Sequence, residues 1–264
     1  MNMEKTNEFI KNLYLTDEYI IKNPSLHEED SPWKVSKIIP LIDNLISNYF
    51  NKDEINLLDI GGGAGLILNE VSAYIRERYN IKVNKFALDL SPGMLEIQRK
   101  RNPDLKKALN EDICRTSLGN KEIDLALMID LLEHVPNSTE ALEEVKRISE
   151  FVIFKVPLEN NLLTKTWNFV RRGKPRQHAI ETIGHINVYN FGELKNQIEK
   201  HTGQVLDFYF TNVFDYFQNS EHYKNKMKRK SKLINFVALH LFRLSPKLCS
   251  LIFNDFVMLL VKRY

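Results

Sequence analysis

The sequence predicts an α/β fold in which an open, mostly parallel sheet lies between two layers of helices. Three observations predict it. Short apolar runs alternate with helical periodicity from about residue 55 to residue 156. A glycine-dense segment, Gly61-Gly62-Gly63-Ala64-Gly65, joins the first apolar run directly to the first helical stretch. Acidic residues stand at the ends of successive apolar runs, at Asp59, Asp89 and Asp112.

Taken in order, the first thirty residues are polar with scattered aromatics and read as a short helix and an extended lead-in. Ser31 and Pro32 are suited to cap and open a helix carrying Val35, Ile38, Ile39, Ile42 and Ile46 at helical spacing. Ile55 to Ile60 reads as a strand and Leu66 to Tyr79 as the helix beyond the glycines. Ile81 to Leu90 is the second strand, and Ser91-Pro92 caps a helix through Arg101. Lys107 to Ile113 and Ile123 to Ile129 follow as strands, Ala141 to Ile148 as helix and Phe151 to Val156 as a buried strand. Leu158 to Arg172 looks helical, and Asn190 to His201 is a capped helix. Gln204 to Phe210 and Phe256 to Lys262 suit an antiparallel pair at the sheet's edge. Four regions result: a lead-in with lid helices over 1–50, a core over 51–210, a basic helical insert over 211–254 and a final strand over 255–264.

At 264 residues the chain suits one large domain, or one domain with a cap, and 43% hydrophobic content supplies a sizeable core. A net charge of +3 argues against a general nucleic-acid-binding surface. Cys114 and Cys249 have neither metal-ligand nor redox spacing, and no metal site is predicted. The polar start carries no secretory signal, and no apolar run approaches the roughly 18–20 residues of a bilayer span. A cytoplasmic protein is expected.

Ligands of open parallel sheets bind outside the carboxyl ends of the strands. Glycines at such an end bring the ligand against bare main chain. Asp89, about 24 residues beyond Gly65, can accept hydrogen bonds from ribose hydroxyls, and Asp112 can meet a base. Together these residues predict a nucleoside site.

The segment Asp59-Ile60-Gly61-Gly62-Gly63-Ala64-Gly65 matches an acidic residue, any residue, then Gly-x-Gly-x-Gly. With Asp89-Leu90-Ser91-Pro92-Gly93-Met94, Asp112-Ile113 and Asp130-Leu131-Leu132-Glu133-His134-Val135, it resembles the class I S-adenosylmethionine-dependent methyltransferases. The dinucleotide fingerprint fits less well, because its third glycine would fall at Leu66. The resemblance implies a Rossmann-like three-layer sandwich whose seven-stranded, mostly parallel sheet has its last strand antiparallel. It implies S-adenosylmethionine as cofactor, with Asp59, Gly61, Gly63 and Gly65 at the methionine end, Asp89 and Leu90 at the ribose, and Asp112 and Ile113 at the adenine. Asp130 joins this set from the loop after the fourth strand. Residues 23–34 and 184–189 resemble a bacterial subgroup that often accompanies glycosyltransferases, which implies a sugar or glycolipid acceptor.

Methyl transfer to a hydroxyl needs alignment and removal of one proton. His134 and His185 are the candidate bases, with Asp130 or Glu133 to orient them. His27, Asp30, Trp33 and Lys34, with Tyr14 and Tyr19, are candidates for a lid. His178 with Arg171, Arg172, Lys174 and Arg176 suits an anionic acceptor or a solvated loop. Nucleic-acid methylation is disfavoured, since the fourth strand ends in Asp130-Leu131-Leu132-Glu133 and there is no Pro-Cys dipeptide. Lys224, Lys226, Lys228, Arg229, Lys230 and Lys232 precede the apolar Leu233 to Leu239, a pattern that suits either a packed cap or peripheral contact with an anionic membrane. A cofactor-binding but catalytically silent sensor or scaffold, and a nicotinamide oxidoreductase, are the alternative classes.

Overall fold

The computed structural model describes residues 15–16, 20–21, 26, 28–224 and 227–264. The expectations for Tyr14, Tyr19, His27 and Lys226 lie outside the described residues.

Helix α1 (Ser31–Asn48) leads into β1 (Glu54–Ile60). The chain then alternates through α2 (Leu66–Tyr79), β2 (Lys82–Leu88), α3 (Pro92–Arg101), β3 (Leu105–Leu109), β4 (Ile123–Ile129), α4 (Ser138–Ile148) and β5 (Ser149–Leu158). Helices α5 (Leu162–Val170), α6 (Lys174–Ile183) and α7 (Phe191–His201) precede β6 (Gly203–Phe210). The insert contains α8 (Val213–Asn219), α9 (Glu221–Lys224), α10 (Arg229–Leu244) and α11 (Pro246–Ile252), and β7 (Asp255–Arg263) closes the chain. The seven strands lie in the order β3-β2-β1-β4-β5-β7-β6. Only β7 runs against its neighbours, pairing antiparallel with both β5 and β6. This is the expected fold class.

Period-two alternation sends each strand's side chains into two cores. Leu58 and Ile60 of β1, with Ala126 and Met128 of β4, face α4 and α7. Ile55 and Leu57, with Leu125 and Leu127, face α1 and α2. A third, smaller cluster joins Val213, Phe214, Ala238, Leu239 and Cys249 of the insert to Trp33 and Phe256. Trp33 stacks on Tyr216 with ring centroids 4.6 Å apart, so the lead-in helix is fastened to the insert.

Three boundaries differ from expectation for local reasons. Asp30, not Ser31, occupies the cap of α1, because a 3-10 turn over Glu28–Asp30 runs straight into the helix. β3 covers Leu105–Leu109 rather than Lys107 to Ile113. There Asn110 Nδ2 donates to the carbonyls of Asp89 and Leu90 at 3.0 and 2.9 Å and draws the chain across the end of β2. The helix expected over Leu158 to Arg172 is confined to α5, because β5 runs on to Leu158, and Arg172 and Gly173, whose φ angles are 53° and 79°, turn the chain into a further helix, α6. The basic stretch around His178 is therefore helix α6, not a loop.

Candidate active site

The carboxyl ends of the strands meet at one edge. Gly61 N donates to Leu88 O at 2.8 Å, Asp89 N to Leu109 O at 3.1 Å and Asp130 N to Lys155 O at 2.9 Å. The glycine turn, Asp89 and the turn holding Asp112 thus share that edge. Helix α3 buttresses the turn: Arg101 Nη1 donates to Ala64 O at 3.0 Å, and Asn102 Nδ2 donates to Gly65 O at 3.0 Å. Arg101 also pairs with Glu28 at 2.7 Å and ties in the lead-in.

Two glycines have distinct duties. A β-carbon on Gly62 would lie 2.1 Å from Asp59 Oδ2, so the carboxylate needs that position bare. Gly63, at φ +53°, has nothing among the described residues within 4 Å of where its β-carbon would stand. It faces open space, as a ligand cradle requires.

Asp59 has no exposed surface, and neither carboxylate oxygen has a hydrogen-bond partner among the described residues. Burial, then the nearby Asp89 charge, push its pKa up to about 7. The Leu68 N–H lowers it only in part, without closing a hydrogen bond. A cation entering beside Gly63 would supply the missing partner. Asp89 is also buried, with a pKa raised to about 6 by burial, and its Oδ1 accepts from Ser91 N at 2.8 Å. Asp112 Oδ1 accepts from Cys114 N at 3.0 Å, Ile113 is buried, and Leu90 is half-buried.

A cavity of about 280 Å³ opens beside the glycine turn. Asp59, Gly61, Gly62 and Gly63 form one wall, and Glu28, Asp30 and Lys34 of the lead-in form a second. Asp130, Glu133 and His134 after β4, Thr182 and Ile183 at the end of α6, and His185 beyond it also line the cavity. Of the residues expected in a lid, Asp30 and Lys34 line the cavity, whereas Trp33 packs on the insert.

Asp130 lies between two ammonium groups. Lys155, 1% exposed in the middle of a sheet face, pairs with its Oδ1, and Lys34 Nζ lies 3.1 Å from Oδ2. Burial alone would raise the pKa of Asp130, but Lys155 and then Lys34 hold it at about 2. Lys155 Nζ also sits 3.5 Å over the Phe256 ring. Asp130 adopts φ 51°, a left-handed backbone that few non-glycine residues take, and the two ion pairs hold it there. Glu133 has the opposite character. It is buried, its Oε2 has no partner among the described residues, and its pKa is raised well above normal, first by burial and then by the Asp130 charge.

The imidazoles are oriented by groups other than those expected. Asp130 serves the lysines and Glu133 lies without a bond to either ring, whereas His185 Nδ1 pairs with Glu159 Oε2 at 3.0 Å. His134 Nδ1 contacts Gly184 O at 3.2 Å. Carboxylate and carbonyl oxygens accept only, so each neutral ring carries its proton on Nδ1 and its lone pair on Nε2. The rings meet edge to face, with centroids 4.9 Å apart. Backbone N–H groups of Ile186 and Asn187 donate to Glu133 O at 2.9 and 3.0 Å and fix the two loops together. Glu133, His134 and His185 each offer a ligand atom within 4.8 Å of the others, a donor set that could hold a divalent transition ion. Sequence reasoning missed Glu159 and Lys155. Glu159 carries the same signal as the others, an acid directly after a strand, and Lys155 is the lone charge within an apolar run.

A family model described as a methyltransferase domain matches residues 35–203. No curated protein matches. Among solved structures, geranyl diphosphate C-methyltransferase from Streptomyces coelicolor A3(2) superposes with a TM-score of 0.59 at 11% identity, covering 88% of this chain and 81% of that one. Phosphoethanolamine N-methyltransferase 2 from Haemonchus contortus, in complex with S-adenosyl-L-methionine, gives 0.57 at 12% identity, covering 98% of this chain and 60% of that one. The [4+2]-cyclase SpnF gives 0.53 at 10% identity, covering 85% and 80%. At these identities the likeness concerns the fold.

Asp130→Asn is expected to leave Lys155 buried without a counter-charge and to cost about 3–5 kcal/mol in urea unfolding. Adding Lys155→Met should recover most of the loss; a double variant no more stable than Asp130→Asn would show that the pair is not what holds this edge.

Proposed function

The chain belongs to the class I S-adenosylmethionine-dependent methyltransferase-domain family, and from that membership we propose that it methylates an oxygen of a small-molecule, sugar or glycolipid acceptor. The observation that carries this is the buried Asp59, whose oxygens have no hydrogen-bond partner among the described residues, beside the open face of Gly63 and on the same sheet edge as Asp89. S-adenosylmethionine supplies a methyl carbon already activated on a sulfonium.

The chain's own groups bind and align. Asp59, Gly61, Gly63 and Gly65 hold the methionine end, Asp59 answering its ammonium group. Asp89 and Leu90 hold the ribose, and Asp112 and Ile113 hold the adenine. Asp130, kept ionised by its two lysines, sets the floor between cofactor and acceptor. His185, with its Nδ1 proton on Glu159, takes the acceptor proton at Nε2, and His134 packs against it. A lipid-linked sugar as acceptor accords with peripheral contact at an anionic membrane.

The convergence of Glu133, His134 and His185 favours a second reading of the proton step. Here Glu133, His134 and His185 would hold a divalent ion, which would supply Lewis-acid activation of the acceptor hydroxyl. Purified protein assayed for S-adenosylhomocysteine against candidate hydroxyl acceptors, with and without chelator, separates the two. Metal-free protein with full turnover, reduced about 100-fold or more by His185→Ala, supports the imidazole base. Loss of turnover on chelation, restored by a transition ion, supports the ligand set. A silent sensor or scaffold would bind the cofactor and yield no product with any acceptor.

Gly63→Val is expected to weaken cofactor binding by roughly 100-fold or more in calorimetry, since its side chain fills the cradle. Undiminished affinity would remove the site assignment.

Asp59 makes cofactor binding depend on pH. Its pKa near 7 in the free protein must fall when a cationic group arrives, so binding releases a proton. Affinity should therefore rise as pH increases towards 7 and level off above it, changing by up to about tenfold per unit below. Calorimetry in buffers of different ionisation enthalpy measures the proton release, which Asp59→Asn should abolish.

A further inference from the structure

Helix α5 reads LLTKTWNFV and buries none of its residues among the described ones. Phe169 is 86% exposed and Val170 64% exposed, where a helix this apolar ordinarily covers its stripe. The same pattern continues on neighbouring helices. α11 packs on both α5 and α10, and Thr164 Oγ1 of α5 donates to Asn254 Oδ1, just past α11, at 2.8 Å. On α10 the inner face buries Asn235, Ala238 and Leu239. Its Leu233, Val237 and Leu244, in helical register, point outward, with Leu244 84% exposed. Leu248 and Leu251 extend this apolar surface onto α11.

Charge marks the same face. Residues 160–180 and 222–254 contain thirteen of the chain's 37 Lys and Arg and none of its 34 Asp and Glu. The rest of the chain is consequently acidic in excess. Lys228, Arg229, Lys230 and Lys232 crowd the start of α10, and Arg171, Arg172 and Lys174 the junction of α5 with α6; all are exposed.

We infer that α5, α10 and α11 form one docking face for an anionic bilayer surface, on which the protein lies without crossing. No helix among the described residues is long and apolar enough to span a membrane. Trp167 and Phe169 enter the headgroup boundary, the leucines of α10 and α11 lie beside them, and the basic residues hold the phosphates. A second copy of the chain suits this face poorly, because it would set the exposed cations at the start of α10 and at the junction of α5 with α6 against their own copies. The face also adjoins the cavity. α6, packed on α5, ends at Thr182 and Ile183 on the cavity wall, and Phe256 belongs both to that wall and to the insert's core. A membrane-anchored acceptor would thus reach the site from the side. This last step rests on the proposed methyl transfer; the docking itself does not.

The test is flotation of the full chain with phosphatidylcholine vesicles, with and without phosphatidylglycerol. Flotation is expected only with the anionic lipid and is reversed by salt. Replacing Lys228, Lys230 and Lys232 together by Gln should weaken it on the order of fivefold per charge. Trp167→Ser with Phe169→Ser should lower it tenfold or more, while S-adenosylhomocysteine affinity by calorimetry and Tm stay at the parent values. Equal recovery with both lipids, no recovery with either, or parent-like flotation of either variant would overturn the inference. So would a vesicle-free dimer, or a stable complex with an acidic protein, that the Trp167/Phe169 variant dissolves. Calorimetry reads the cofactor site separately, so failure of docking and failure of the methyl-transfer reading are distinguishable.

Discussion

The cation under the sheet edge is the constraint from which the pocket follows. Lys155 projects from β5 on the face that carries Phe151 and Ile153, where an ammonium group can persist only with a counter-charge. Asp130 supplies it by turning the chain left-handed at the end of β4. Lys34 then comes in from α1 to balance the second oxygen, and Trp33, one residue earlier, rests against Tyr216 of the insert. One ion-pair chain therefore links the lead-in, the sheet and the cap. A break in it would disturb three walls of the cavity together.

The same chain divides the carboxylates of the site into two kinds. Asp130 is neutralised twice and stays ionised to about pH 2. Asp59 and Glu133 are more deeply buried, neither forms an ion pair among the described residues, and both are displaced upward. Such separation of titrating groups within one pocket marks sites that bind or move charge. Both raised groups line the cavity. Asp59 lies at the glycine turn, and Glu133 lies beside the imidazoles. In the proposed methyl transfer the first becomes a cofactor side and the second an acceptor side.

The cofactor side was legible because backbone geometry dictates residue type there. Only glycine suits Gly62 against the Asp59 carboxylate, and only a strand end brings Asp89 to the same edge, so pattern and place coincide. The helix cap at Ser91 and the capping box of Asn190 with Glu193 were readable for the same reason. The acceptor side obeys no such local rule. Which carboxylate orients His185 depended on how far β5 ran, and Glu159 became the partner only because that strand ends at Leu158. Lys155 is a lone charge in its strand, but its partner Asp130 comes from 25 residues away, and Lys34, which shares that carboxylate, from 121.

The break at Arg172 and Gly173 shows what such non-local placement does to function. A single helix from Leu158 would have directed its apolar side chains along one line away from the sheet. Two left-handed residues fold it back, so that α6 returns its end to the cavity while α5 keeps its own apolar side chains outside. Arg176 turns inward to donate to Ile186 O at 2.7 Å and holds the returning chain in place, leaving Arg171, Arg172 and Lys174 at the surface. A run of basic residues that looked uniform in sequence is thus divided by one turn. One member braces the histidine loop, and the others lie with the exposed apolar face.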